Sequence, residues 1–569
     1  MASTTGITVR RRLAVFFLFI AIVMIGLGCR LVFIQFYQSE WLTENAINQR
    51  IRNIPVEARR GKIFDRNGNE LAISNSIESV YAIPAEIENV DKTAAELAAI
   101  LNLDTSKTLN KLKKRQAFTW IARKVTDEQA TLVRKINLAG IGLTEEGERY
   151  YLHDNLASHI IGFSGLDSQG LDGVELTYDE YLKGIRGNIV IEYDAKGCEI
   201  PHAIHKYIPP VDGNDVYLTI DMVIQQIVER ELDKAMHETQ AKSVTMIAMK
   251  PDTGEILAMA SRPDYNPNNF TAYPSSLWRN IAISNAYEPG STFKILTTSA
   301  ALDSNVVELN DYFFDSGGID VQGRTIHCWK HGGHGSQTFK EVVENSCNTG
   351  FVTVGLRLGV DKFYDYLEDF GLGKETEVNL PGEAKGIMIK RSKAVPINLA
   401  TMAMGQSIAV TPLQLANAVS SCINGGLYYK PQIVRGIKDN NGNIIEDFSP
   451  ISTKRVIEEK TSEKVRSVLE SVVANGTGKN AYIEGYSIGG KTGTAQKVGD
   501  GGYMQGKYIA SFVGFAPANK PQIVLLVVID EPVGPYYGGQ IAAPVFRNAM
   551  GDILTYLKIE KIATSNKKQ

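Results

Sequence analysis

From Leu13 to Cys29 the chain is uncharged and almost wholly apolar; Arg10-Arg11-Arg12 precede this run, and it resumes after Arg30 as Leu31-Val32-Phe33-Ile34. About 20 residues at a rise of 1.5 Å cross a hydrocarbon core of roughly 30 Å, so the run is long enough to span a membrane. The reading is a transmembrane anchor over residues 13–36, with residues 1–12 as a cytoplasmic N-terminus held inside by the arginines and Arg30 snorkelling at the far interface. No second run of comparable length and apolarity occurs, so everything after about residue 37 is expected outside the cytoplasm, on a single pass. A cleaved signal peptide competes, but its apolar region is usually about 7–15 residues long and ends in a small-x-small site. Gly26-Leu27-Gly28-Cys29 only faintly resembles a lipoprotein cleavage site, because Gly26 stands where an aliphatic residue is wanted.

Beyond the anchor the composition is that of a folded protein. Of 569 residues 44% are hydrophobic and 22% charged, enough for about three units each with its own core. Sixty basic residues against 63 acidic ones leave a net charge of −3, which excludes the basic field that condenses onto phosphate backbones, so no nucleic-acid partner is expected. Cys29, Cys198, Cys328, Cys347 and Cys422 include no C-x-x-C pair. If the last four are all outside, three pairings are possible and spacing does not choose among them.

Residues 37–213 read as a mixed α/β lobe, with amphipathic pieces such as Ala94 to Leu101. Pro209-Pro210 and the turn-prone cluster up to Asp215 mark a boundary near 213. A second domain over 214–560 opens with a strand at Val216–Thr219. Asp221 then caps a helix whose apolar face is Val223, Ile224, Ile227, Val228, Leu232 and Ala235. Ser243–Met249 and Glu255–Ser261 read as a hairpin, and Ser487–Gln496, Tyr508–Phe515 and Gln522–Ile529 as three further strands. Roughly 220 mainly helical residues separate the two groups, so the expected fold is α/β of the α+β kind: an antiparallel sheet built from both ends of the domain, with flanking helices and an inserted helical lobe. A last helix over Ala543–Leu557 precedes a polar tail, 561–569. Gly425-Gly426 and Gly538-Gly539 read as turns, and Asn441-Gly442 as a two-residue hairpin turn.

The chemistry is carried by three short segments. In Glu288-Pro289-Gly290-Ser291-Thr292-Phe293-Lys294, Ser291 opens an apolar helix and Lys294, three residues on, shares its face. A serine attacks only when a base takes its proton, and a lysine serves as base only if burial or a neighbouring cation lowers its pKa. Ser346-Cys347-Asn348 adds a hydroxyl and a carboxamide before a helical run. Lys491-Thr492-Gly493-Thr494 adds a second cation on a strand, expected to repel charge from Lys294 and attract a substrate carboxylate, with Gly493 admitting a substrate backbone. S-x-x-K alone is weak, since an ordinary helix start can carry it.

The three segments in this order resemble S-x-x-K, S-D-N and K-T-G of penicillin-binding proteins and class A β-lactamases. Arg60-Gly61-Lys62-Ile63-Phe64-Asp65-Arg66-Asn67-Gly68 with Leu71-Ala72, Gly170-Leu171-Asp172-Gly173-Val174-Glu175 and Met404-Gly405-Gln406-Ser407 extend the resemblance to class B, monofunctional penicillin-binding proteins. The departures are Cys347 in place of Asp and Leu152 where the family often has proline. Arg60, Asp65, Arg66 and Glu175 are read as a structural salt-bridge and turn network.

The resemblance implies a peptidoglycan D,D-transpeptidase: Ser291 as nucleophile, Lys294 as base, Ser346 relaying a proton, Asn348 holding the substrate amide, and Lys491, Thr492 and Thr494 binding the terminal carboxylate. It also implies an oxyanion hole from the Ser291 and Thr494 amides, acylation of Ser291 by β-lactams, no cofactor, and partners comprising stem peptides, the bacterial plasma membrane and a polytopic glycosyltransferase. His327-Cys328-Trp329-Lys330-His331-Gly332-Gly333-His334 matches no common zinc spacing and reads as a loop bordering the cleft, with no metal expected. The alternatives are a carboxypeptidase or β-lactamase-type hydrolase with the same nucleophile, and a non-catalytic β-lactam sensor or scaffold. A sensor usually needs a folded cytoplasmic portion, and only about 12 residues precede the apolar run.

Overall fold

The apolar run lies in one helix, α1 (Thr4–Val32), continued by a short π-helical segment Phe33–Tyr37. Its 29 residues reach about 44 Å, more than the membrane core requires, and the three arginines lie within it rather than ahead of it. Among the described residues Gly6–Tyr37 is the one stretch long and apolar enough to cross a membrane, consistent with a single-pass protein. This computed structural model describes residues 4–114, 118–192, 206–499 and 501–562. Cys198 lies outside the described residues; Cys29, Cys328, Cys347 and Cys422 are free thiols.

By their contacts the residues form two units. The first comprises residues up to Arg59, Ser76–Glu148 and Ile185–Val211. Within it, α2 (Val90–Leu101) starts where the Asn89 side chain accepts from Lys92 N and stops at Asn102 in the left-handed region. Its buried residues Ala94, Leu97, Ala98 and Leu101 follow a helical period, and Ala94, Leu97 and Leu101 pack with Val80, Ala82, Ile121 and Val133.

The second unit comprises Arg60–Asn75, Arg149–Gly184 and everything from Asp212, so part of the stretch read as a lobe over 37–213 packs with the later residues. Asp221 caps α3 (Met222–Thr239) by accepting from Val223 N and Ile224 N. The sheet contains β1 (Ser243–Met249), β2 (Ile256–Arg262), β3 (Gly489–Gly499), β4 (Gly502–Ala516) and β5 (Ile523–Asp530) in the order β2-β1-β5-β4-β3, antiparallel throughout. Both ends of the domain therefore contribute, as read from sequence. Successive residues of β1 face opposite layers: Met246 and Ala248 join Ile224, Val228 and Phe546, while Ile247 and Met249 join Phe293, Leu296 and Val419. Burial on both faces is why β1, β2 and β5 read as nearly continuous apolar runs.

Three local expectations change. β4 begins six residues before Tyr508, because residues 502–507 are exposed and carry no apolar signal. The hairpin tip is a three-residue loop, Asn440 to Gly442, closed by Asp439 N donating to Asn443 O at 2.9 Å, with Gly442 at φ +83°. Gly538 and Gly539 open a helix, Gly538–Tyr556, instead of forming a turn.

The charged residues of the Arg60 and Gly170 motifs meet inside the second unit. Glu175, fully buried, accepts from Arg60 Nε at 2.5 Å and Arg149 Nε at 2.6 Å, and Arg60 also reaches Asp179 at 2.6 Å. Asp65 closes its own turn by accepting from Asn67 N and Asn69 N, both at 2.8 Å, and Arg66 reaches Glu255 at 3.4 Å. Leu152 N donates to Leu71 O at 3.1 Å, a bond proline cannot make. Burial alone would raise the Glu175 pKa, but the Arg149 and Arg60 charges win and hold it below the ordinary value. Its contribution to stability is therefore present above the ordinary carboxylate range and is lost as pH falls through the folded value. Glu175→Ala removes the carboxylate shared by two buried guanidiniums, leaving Arg60 with Asp179 alone, and is expected to cost about 3–5 kcal/mol, read as a lowered urea midpoint of the full chain in detergent. A loss below about 1 kcal/mol, the value of an exposed pair, would remove the network's structural role.

Candidate active site

Ser291 sits in a 3-10 turn, Gly290–Phe293, that feeds α4 (Lys294–Asp303). Residues i and i+3 eclipse in such a turn, so Ser291 and Lys294 stand on one side of the chain. The turn is held from below: Gly290 N donates to Gly405 O at 2.9 Å, Thr292 Oγ1 donates to Pro289 O at 2.8 Å, and Ser407 N donates to Glu288 Oε1 at 2.8 Å. Gly405 has φ +82°, and a Cβ there would stand 2.1 Å from Gly290 O. The Met404-Gly405-Gln406-Ser407 motif thus acts as the seat of the nucleophile turn.

Lys294 is fully buried. Its amine donates to Asn348 Oδ1 at 2.8 Å and Ser346 O at 2.9 Å, stands 3.3 Å from Ser346 Oγ, and lies 5.0 Å from the Phe351 ring centre. Burial pushes its pKa down to about 8. Ser346 has φ +52°, a conformation a serine seldom adopts, and it precedes α5 (Asn348–Asp369). Lys491 on β3 is also fully buried, and its amine has no hydrogen-bond partner among the described residues. Burial first, and then the nearby Lys294, lower its pKa well below the ordinary value. The repulsion expected to act on Lys294 therefore falls on Lys491, while Lys294 is depressed by burial.

Ser291, Ser346, Asn348, Thr492 and Thr494 line one cavity of about 850 Å³, together with Trp329, Gln406, Tyr508, Tyr536 and Tyr537. Three segments far apart in sequence therefore converge on one cleft. Residues 244–551 match the penicillin binding protein transpeptidase domain, and residues 55–218 match the penicillin-binding protein dimerisation domain.

The chain belongs to the class B penicillin-binding proteins. It is a peptidoglycan D,D-transpeptidase of the serine acyl-enzyme type. This penicillin-binding protein is 44% identical to stage V sporulation protein D of Bacillus subtilis over 563 residues, 98% of this chain and 87% of the relative. It is 34% identical to the peptidoglycan D,D-transpeptidase FtsI of Escherichia coli, over 93% of this chain and 89% of the relative. Among solved structures it resembles penicillin-binding protein 3 of Mycobacterium tuberculosis in complex with aztreonam, with TM-score 0.70 and 26% identity, covering 89% of this chain and 98% of that one.

Two penicillin-binding protein site residues also make protein contacts that the sequence did not reveal. Beside the Gly493 Cα the space is taken by the protein itself. A Cβ there would stand 2.3 Å from Ser511 Oγ and 2.9 Å from both Pro289 O and Thr292 Cγ2. No described strand pairs with the outer edge of β3. Thr494 Oγ1 accepts from Gly538 N at 2.9 Å, tying β3 to the start of the last helix. The aromatic wall carried no motif signal: Tyr508 and Tyr536 stack with ring centres 4.0 Å apart, from β4 and from the loop after β5.

Proposed function

We propose that Ser291 is the acylated residue of this transpeptidase and Lys294 its base. The observation that carries this is a buried lysine with pKa near 8 whose amine touches Ser346 and Asn348 while Ser291 lines the same cleft. In its neutral form Lys294 takes the Ser291 proton as Oγ attacks the penultimate D-Ala carbonyl. The Ser291 and Thr494 amides hold the developing oxyanion, at about 3–4 kcal/mol for a donor of this kind. The peptide C–N bond then breaks, Ser346 passes a proton to the leaving D-Ala amine, and Asn348 holds the substrate amide. The unpartnered Lys491 amine, with Thr492 and Thr494, takes the terminal carboxylate, which supplies the counter-charge that burial withholds. An amine from a second stem peptide attacks the ester and releases Ser291 with a cross-link formed.

β-Lactams acylate the same serine, as the mycobacterial complexes with aztreonam and ampicillin support. The arginine cluster ahead of the apolar run supports a catalytic domain outside the cytoplasm, at the bacterial plasma membrane, beside a polytopic glycosyltransferase partner. The likeness to a stage V sporulation protein supports a role in spore formation.

The test is a reaction of the full chain in detergent with a stem peptide ending in D-Ala-D-Ala, quenched and mapped by mass spectrometry, with and without an acceptor amine. The acyl group is expected on the peptide holding Ser291, with one D-Ala released and amide product exceeding acid product when acceptor is present. Acyl on another residue overturns the site assignment, and acid product alone at every acceptor concentration overturns the transfer step in favour of hydrolysis.

A further inference from the structure

We infer that a second cavity, joined to the catalytic cleft at Gln496, is the subsite for the donor stem residue that precedes D-Ala-D-Ala, and that it takes a side chain ending in both an ammonium and a carboxylate. Glu288 is the counter-ion for the ammonium, and Arg279 with Lys385 for the carboxylate. This subsite rests on Ser291 as the acylated residue and adds the side chain that its donor must carry.

The cavity is about 700 Å³, and Gln496 lines both it and the cleft. Two pairs of near neighbours straddle the join: Gly290 lines the cleft and Glu288 the cavity, while Gln406 lines the cleft and Ser407 the cavity. The nucleophile turn lies against the middle of β3, since a Cβ on Gly290 would stand 3.0 Å from Thr494 O and 3.3 Å from Ala495 Cβ. Along β3 the order is therefore Lys491 and Thr492 at the carboxylate end, Thr494 and Ala495 beside the turn, then Gln496 at the mouth of the cavity. A donor with its carboxylate at Lys491 to Thr494 and its scissile carbonyl at Ser291 sends the preceding residue past Gln496. An extended residue advances about 3.3 Å, so a single residue covers that step.

Five charged side chains line the cavity: Arg279, Glu288, Lys385, Lys497 and Asp530. Two of them satisfy each other, because the Lys497 amine donates to Asp530 at 2.6 Å and also to Glu531 at 2.7 Å. Glu288 differs. Half-buried, it accepts from Ser407 N at 2.8 Å and from the Tyr503 hydroxyl at 3.0 Å, both neutral donors, and it makes no ion pair among the described residues. Each of its oxygens keeps an acceptor position free. Burial raises its pKa, which marks a carboxylate short of counter-charge, and an ammonium in the cavity reverses that cost.

The cations are as loosely held. Arg279 Nε and Nη2 donate to Ser284 Oγ at 2.9 Å and Ser284 O at 2.8 Å, and among the described residues it meets no carboxylate. Lys385 stands 3.9 Å from Glu375, an exposed pair that holds it weakly. One lone carboxylate and two available cations in one chamber are the complement of a zwitterion. A plain amine would leave the cations idle, and a plain acid would meet Glu288. Ile281, Tyr287, Ile408 and Val528 give the chamber apolar wall for the methylenes between backbone and charged end. Because Glu288 lines the cavity and not the cleft, the ammonium on it is the donor's own, kept charged and away from the Ser291 ester.

The experiment uses the full chain in detergent and three pentapeptide donors ending in D-Ala-D-Ala that differ at the preceding residue alone: diaminopimelate, lysine and side-chain-acetylated lysine. D-Ala release gives kcat/KM, and mass spectrometry locates the acyl group. The native chain should favour lysine over acetylated lysine by about tenfold or more, and diaminopimelate over lysine by a similar factor, as charged hydrogen bonds of this kind confer. Glu288→Gln should abolish the first preference, and the double variant Arg279→Gln, Lys385→Gln the second. Each readout is a ratio of donors on one protein, so a general loss from a disturbed nucleophile turn cancels. Acyl on Ser291 with equal kcat/KM for the three donors overturns the subsite, as do native preferences that survive the variants. Preference for lysine over diaminopimelate overturns the carboxylate half. A Glu288→Gln effect confined to the ratio of amide to acid product puts the acceptor in the cavity and overturns the donor assignment. No acyl on Ser291 with any donor fails the reading of the cleft itself and takes the subsite with it.

Discussion

Ser291→Ala is expected to abolish covalent labelling by fluorescent penicillin while leaving a folded protein in the membrane. Removing the nucleophile of a serine acyl-transfer unit costs on the order of 10⁶ in turnover, and labelling needs the bond itself, so no residual band is expected. The fold should survive because the turn is held by neighbours of Ser291 and not by its hydroxyl: Gly290 N is bonded to Gly405 O, and Thr292 Oγ1 to Pro289 O. Membrane fractions of native and variant chains, matched for protein amount and for urea midpoint, check the result. A band of native intensity on Ser291→Ala removes Ser291 from the chemistry, whereas a lost band with a lowered midpoint reports damage and calls for the mass-spectrometric mapping instead.

The parts of this site that were legible in sequence are those whose partners lie within a turn. Ser291 and Lys294 need only an i, i+3 offset, and Asp221 declares its helix by standing directly ahead of it. Much of the antiparallel sheet was legible because β1, β2, β5 and the second half of β4, buried on both faces, are largely apolar. The 502–507 extension of β4 was not, since an exposed strand leaves no hydrophobic period. Glycines were the weakest point. A sequence cannot say what a missing Cβ makes room for, and at Gly493 it is Ser511 and the nucleophile turn, while at Gly405 it is Gly290 O. Contacts across long sequence separations were equally hidden: Arg149 completing the Glu175 pair, or Asp315 meeting Cys347 across 32 positions, depends on folding to bring the groups together.

Lys294→Arg is expected to slow acylation by about 10²–10⁴-fold, the usual contribution of a positioned base, and to erase the pH dependence of its rate. A base must be neutral to take the Ser291 proton. With its pKa near 8 about a tenth of Lys294 is neutral at pH 7, against roughly one part in 3,000 for an ordinary lysine near 10.5. The native acylation rate should therefore climb as pH rises toward 8 and level off above it. Arginine stays charged throughout this range, and its planar fork fits poorly where the native amine meets Ser346, Asn348 and the Phe351 ring. Lys294→Met separates the two causes, since it removes the base without burying a fixed charge; an equal loss in both variants assigns the effect to proton transfer. Among the described residues Lys491 is a second fully buried amine near Lys294, its pKa lowered first by burial and then by Lys294. If Lys294→Met kept a rate that rose through a pKa, proton abstraction would belong to Lys491. The buried lysine on α4 would then be the cation that tunes it, reversing the assignment of the two amines within an otherwise unchanged cleft.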